Sequence, residues 1–128
     1  EQILSELSVK TNGEGFTDIT HLIHDWIRKK KLKQGILIVS TKHTSCSLTI
    51  NENADPQVLN DLSTFLKALV PEEGFRSISG EGERYSYLHT DEGKDDMPAH
   101  IKSALTNNQI TLSIKNKKLI LFLVVCQF

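Results

Sequence analysis

Three histidines stand in two polar stretches of the chain. His43 lies in KHTSCSLTINENADP (42–56), and His89 and His100 lie in YSYLHTDEGKDDMPAHIKSAL (85–105). Imidazoles from three separate elements can converge on one cation, as in a catalytic zinc site that keeps one position open for water or substrate. No HxxxH or HxH pair forces them together, so spacing leaves the alternative of isolated, capped or half-buried histidines open. His21 and His24 differ: Ile19, Leu22, Ile23 and Trp26 own the apolar face of their helix, and both read as solvent-side residues.

Carboxylates and amides surround the three candidates. Asn51, Glu52, Asn53 and Asp55 sit between a strand and a helix. Turn preference and helix capping account for them. So does a ligand role, because a helix N-terminus suits a phosphate or carboxylate that Asn51 and Asn53 would orient. Glu52 would then serve as acid or base. Asp95 or Asp96 can cap the helix that Pro98 starts, and both suit carboxylates holding histidine tautomers beside a metal. Asp91 and Glu92 read as solvated. Ser45 follows His43 closely, but no GxSxG elbow is present, and neither is a GxGxxG or P-loop phosphate cradle. Cys46 reads as an inert thiol facing a core.

At 128 residues, 38% hydrophobic and 24% charged, the chain reads as one soluble domain. A net charge of −1 announces no nucleic-acid or membrane partner. The basic run RKKKLK (28–33) complements the C-terminal dipole of the helix before it. Cys46 and Cys126 form neither a disulfide framework nor a CxxC pair, which suits a reducing cytosol. The apolar run 118–126 is too short to cross a bilayer, and the first residues carry no signal-peptide core. Cytoplasmic location is the expectation.

Patterning predicts strands over 2–10, 35–41, 46–50, 84–90, 109–114 and 118–125, with turns at 12–15 and 115–117. A helix capped by Thr17 or Asp18 runs to about Lys31 and is broken by Gly35. A second starts at Asp55-Pro56, buries Val58, Leu59, Leu62, Phe65, Leu66 and Leu69, and ends at Pro71. A third runs from Met97-Pro98 to about Leu105, and 72–83 reads as loop. The order is β-α-β-β-α-β-α-β-β. It favours an α+β fold with a mixed, mostly antiparallel sheet packed with about three helices.

With these residues laid out, the chain resembles the YjbQ-like family, also described as secondary thiamine-phosphate synthases. The likeness runs through GFTDIT (15–20), HTSCSLTINENADP (43–56), LVPEEG (69–74) and YLHTDEGKDDMPAHIKSAL (87–105), nearly the whole chain. It implies an α+β homotrimer with sites near subunit boundaries, and a histidine-lined pocket for a divalent metal, zinc foremost. By that likeness His43, His89 and His100 would be the metal ligands and Glu52, Asp95 and Asp96 the catalytic carboxylates. Ser45, Asn51, Asn53 and Thr90 would bind a small phosphorylated substrate. The implied activity is a weak thiamine-phosphate synthase reaction joining hydroxymethylpyrimidine diphosphate to thiazole phosphate with release of pyrophosphate. A non-catalytic trimeric metabolite- or metal-binding protein, or a metal-dependent hydrolase of a small phosphorylated metabolite, would use the same parts. Two departures stand out. Lys94 replaces the family's usual proline, and LILFLVVCQF (119–128) lacks the Gly-Thr-Trp-Gln and further strand of the family pattern, so 1–128 reads as one domain with a divergent or shortened C-terminal end.

Overall fold

A computed structural model describes residues 2–51, 54–77, 79–120 and 123–128, with 123–127 as backbone. Its elements are β1 (Gly15–Asp18), α1 (Thr20–Lys29), β2 (Gly35–Ser40), β3 (Cys46–Ile50), α2 (Pro56–Leu69), α3 (Asp96–Leu105), β4 (Gln109–Lys115), β5 (Lys118–Leu119) and β6 (Leu123–Gln127). The strands form two three-stranded sheets, ordered β1-β6-β3 and β2-β4-β5, with every described pairing antiparallel. The α+β class with three helices and antiparallel pairing is as predicted.

Local chemistry explains most boundaries. Asp55 caps α2 by accepting from Gln57 N at 2.9 Å, and Pro56 takes the first helical position, where its missing N–H costs nothing. Asp18 Oδ1 accepts from Thr20 N at 2.8 Å at the start of α1. That helix ends earlier than Gly35. Lys31 adopts φ 56°, and the bonds Leu32 N–Ile27 O (3.1 Å) and Lys31 N–Arg28 O (3.0 Å) close a Schellman motif on a lysine. Asn116 and Lys117, both at positive φ (52° and 65°), make the two-residue β4–β5 turn, which suits the right-handed twist of the strands it joins.

Three strand predictions change. Residues 2–10 form no strand: Ile3 and Val9 are half-buried, but no backbone ladder pairs them. The first strand instead opens at Gly15, inside the predicted turn, and pairs with β6. Residues 84–90 form no strand either; Tyr85 alone makes a bridge, to Phe75. The apolar run 118–125 is divided between the sheets, because Lys118–Leu119 pairs with β4 while Leu123–Gln127 lies between β1 and β3. Alternation marks a sequence able to be a strand, and only a neighbouring backbone makes it one.

The core gathers Ile19, Ile23 and Ile27 with Leu48 from β3, Ile110, Leu112 and Ile114 from β4, and Leu119 from β5. Strand β4 alternates strictly between buried and exposed residues, as a half-buried strand must. Helix α2 departs from its predicted burial. None of its residues is buried, and Val58, Phe65 and Leu69 are exposed, because within the chain the helix packs chiefly along β1. His24 also departs from its solvent-side reading: its Nε2 accepts from Leu119 N at 3.1 Å and tethers α1 to β5.

Candidate metal centre

The stretch leading to His89 is positioned by one close backbone crossing. Phe75 N donates to Tyr85 O (3.0 Å) and Tyr85 N to Phe75 O (2.8 Å), while the two rings stack at 5.5 Å. Gly74 makes this possible. A Cβ there would lie 1.9 Å from Tyr85 O, and the residue's φ of 99° is itself a glycine conformation. Beyond His89 the chain turns back, with Gly93 N donating to Thr90 O at 3.2 Å, and enters α3.

Helix α3 supplies the facing wall. Pro98, Ala99 and Lys102 recur at helical spacing and are buried, which turns Asp96 and His100, one turn apart, toward the returning chain. Ser103 Oγ donates to Cys46 O at 3.3 Å and fastens the helix to the start of β3. Lys102, 5% exposed, donates to Glu14 Oε1 at 2.7 Å, and Lys67 of α2 approaches Glu14 Oε2 at 3.2 Å. Partial burial alone would raise the Glu14 pKa. The hydrogen bonds and charges of Lys102 and Lys67 outweigh it and hold the carboxyl below its ordinary range. The Lys102 ammonium also lies 5.8 Å from the Phe128 ring centroid, within reach of a cation–π attraction.

The two walls meet at one carboxylate oxygen. Asp96 Oδ2 lies 2.7 Å from His89 Nε2 and 3.3 Å from His100 Nε2, and the two imidazole centroids are 5.7 Å apart. One ligand atom from each residue falls within 4.8 Å of the others, the one such group of three among the described residues. Ligands on a tetrahedral zinc, each about 2.0–2.2 Å from the metal, sit roughly 3.3 Å apart, so small side-chain rotations would seat a cation between them. Without a cation, each ring can donate an Nε2–H to the shared oxygen. With one, both Nε2 lone pairs turn to the metal and the ring protons move to Nδ1. The side chains of His89 (44% exposed) and His100 (35%) leave the outer side of this group open to solvent, where further ligands or a substrate can approach.

Comparison with known proteins decides what this geometry belongs to. The profile of the family described as "UPF0047 protein YjbQ-like" matches residues 5–122. The chain belongs to that family. A UPF0047 protein of Synechocystis sp. is 42% identical over 113 residues, spanning 88% of this chain and 70% of the relative. The UPF0047 protein YjbQ of Escherichia coli O157:H7 is 34% identical over 113 residues, 84% of this chain and 71% of that one. Among solved structures, a YjbQ/UPF0047 family protein of Clostridium acetobutylicum superposes with a TM-score of 0.74 at 30% identity, covering 93% of this chain and 84% of its own. A conserved hypothetical protein of Thermus thermophilus reaches 0.76 at 29%, covering 95% and 87%.

The remaining predicted site residues of this YjbQ-like chain divide by element. His43 is not part of the converging group. It lies on the exposed loop before β3, where its Nδ1 receives Ser45 N (3.1 Å) and meets Ser45 Oγ (2.8 Å). Because Ser45 N–H donates to Nδ1, the free nitrogen of His43 for any ligand is Nε2. Ser45 is thereby occupied as the partner of His43. Asn51, half-buried, follows β3, while Glu52 and Asn53 lie outside the described residues. Thr90 and Asp95 are exposed in the loop between His89 and α3; Asp95 takes the N-cap position without a side-chain capping bond. Asp96, predicted as a catalytic or supporting carboxylate, stands among the ligand atoms themselves. The Glu14–Lys102 pair was not among the predicted residues. Its signal was present in PAHIKSAL, where Lys102 continues the spacing of Pro98 and Ala99 along the buried face.

Proposed function

We propose that this YjbQ-like chain is a cytoplasmic, metal-dependent enzyme acting on a small phosphorylated metabolite, with thiamine-phosphate synthase chemistry as its reaction type and a homotrimer as its working form. The observation that carries the reading is the convergence of His89 Nε2, Asp96 Oδ2 and His100 Nε2 on a solvent-facing point. Two imidazoles and a carboxylate are a borderline donor set suited to zinc. When bound, such a cation supplies positive charge to diphosphate oxygens.

The residues have separable tasks in this scheme. His89, Asp96 and His100 would hold the cation, and the anchoring of α3 through Ser103 and Lys102 keeps two of the three in register. Thr90 and Asp95, in the loop that closes the group, stand where a substrate entering from solvent would meet a hydroxyl and a carboxylate. In the synthase reaction the thiazole nitrogen bonds to the methylene carbon of the pyrimidine as the carbon–oxygen bond to the diphosphate breaks. Pyrophosphate leaves with the bonding electron pair.

The test is pyrophosphate release from hydroxymethylpyrimidine diphosphate and thiazole phosphate, with zinc added, by the wild type and by His89→Ala and His100→Ala. Turnover that disappears in both variants is the expected result. Turnover unchanged in both removes the site from the reaction. Stoichiometric zinc binding with no turnover on this or other phosphorylated substrates would make the chain a binding protein instead.

A further inference from the structure

A net charge of −1 conceals a separation of charge. The run that follows α1 holds Arg28, Lys29, Lys30, Lys31 and Lys33, and the fold brings a second run, Lys115, Lys117 and Lys118, against it. Lys117 N donates to Lys33 O at 3.0 Å, and Lys115 pairs with Lys118 across the β4–β5 turn. Together these two short segments contain more than half of the chain's 15 lysines and arginines and not one carboxylate. Arg28 pairs with Asp25, whereas all seven lysines are exposed and none forms an ion pair among the described residues.

The same pole continues into an apolar surface. On the outer face of the β2-β4-β5 sheet, Ile36 (76% exposed) stands opposite Ser113 and Ile38 (61%) opposite Thr111, with Lys115 and Lys118 next along that face. Ile120, 61% exposed, follows directly after β5. The lysines alone would suit any polyanion. The isoleucines discriminate, because a nucleic-acid backbone offers them no apolar phase and aromatic stacking residues are absent from both basic segments. An anionic bilayer offers both: negative headgroups for the ammonium ions and acyl chains for the isoleucines.

We propose that the pole formed by residues 29–33 and 115–118, with Ile36, Ile38 and Ile120, is a docking surface for an anionic lipid bilayer, distinct from the His89–Asp96–His100 group. Lysine suits this task, since its flexible point charge satisfies mobile headgroups without fixed bidentate geometry. The chain would bind peripherally and reversibly, and more weakly as salt screens the lysines.

Vesicle flotation with the whole chain tests this. Vesicles of equimolar phosphatidylglycerol and phosphatidylcholine should carry the protein at low salt, while pure phosphatidylcholine vesicles should not. A Lys115→Ala/Lys117→Ala/Lys118→Ala variant should lose about a hundredfold in vesicle affinity, at roughly fivefold per lysine near a charged surface. Ile36→Ser should weaken binding about tenfold at unchanged charge. Lys94→Ala, in the loop before α3, should bind like the wild type. These side chains are exposed, so the variants should keep the wild-type circular dichroism; Lys33→Ala gives an independent reading should the triple variant fail to fold. Equal recovery on both vesicle types, wild-type binding by the lysine variants, or binding to duplex DNA with no binding to anionic vesicles would overturn the proposal.

Discussion

His89 and Asp96 are seven residues apart and belong to different elements, yet Nε2 of one lies 2.7 Å from Oδ2 of the other. The turn at Thr90–Gly93 folds the chain back so that an extended segment and the first turn of α3 face each other, and His100 joins from one turn further along. Asp96 is thus the shared point of the group, and its neighbour Asp95 stays exposed.

Removing that shared point should be costly for metal binding alone. Asp96→Asn keeps the side-chain shape but discards the charge, and zinc affinity should fall by at least about tenfold in competition with a chelating dye. Asp95→Asn should leave affinity within about twofold, since its side chain neither caps α3 nor belongs to the converging set.

The Glu14–Lys102 pair predicts an acid limb in stability. Glu14 has a lower pKa folded than unfolded, so its contribution is fully present above the unfolded carboxylate value and is lost as pH falls through the folded one. Urea midpoints measured down the acid range should fall less steeply for Glu14→Gln than for the wild type. Lys102→Ala should cost about 1–3 kcal/mol at neutral pH, below the usual range for a broken buried pair because Glu14 keeps Lys67 and is partly solvated.

Gly74→Ala should be among the more damaging single-methyl additions in the chain. The new Cβ would collide with Tyr85 O, and the backbone would still have to hold a positive φ. A loss of about 2–3 kcal/mol is expected in urea unfolding. Because the Phe75–Tyr85 crossing leads to His89, zinc affinity should weaken along with stability.

His24 and His21 should separate cleanly. His24→Ala leaves the N–H of buried Leu119 without its acceptor and should cost about 1–3 kcal/mol. His21, exposed on the same helix, should change stability by no more than about 0.5 kcal/mol when replaced by alanine. Paired thermal melts would read the difference.

What was legible in the sequence was what short-range chemistry decides. Asp55-Pro56 announces a capped helix, Pro98 announces α3, and the alternation of QITLSI gives β4 both its strand and its buried face. Residues 2–10 and 84–90 carry similar alternation, but pairing depends on which backbone the fold brings alongside, and no local pattern encodes that. The site divides the same way. Asp96 and His100 share a helix face by spacing, whereas the arrival of His89 depends on a turn and on Gly74. His43, alike in composition and company, is instead engaged with Ser45 two residues away. Lys102 was hidden by its type: helical spacing places it inside, and only the distant Glu14 makes a buried ammonium tolerable there.

Zinc titration of the purified wild type beside His89→Ala, His100→Ala and His43→Ala tests the central claim most directly. The His89–Asp96–His100 centre predicts saturable zinc binding by the wild type, a loss of at least about tenfold in affinity in each of the first two variants, and a smaller change in His43→Ala, whose ring is not part of the converging group. A wild type that neither binds zinc nor gains thermal stability from it would contradict the account, as would His89→Ala and His100→Ala proteins that bind zinc as tightly as the wild type.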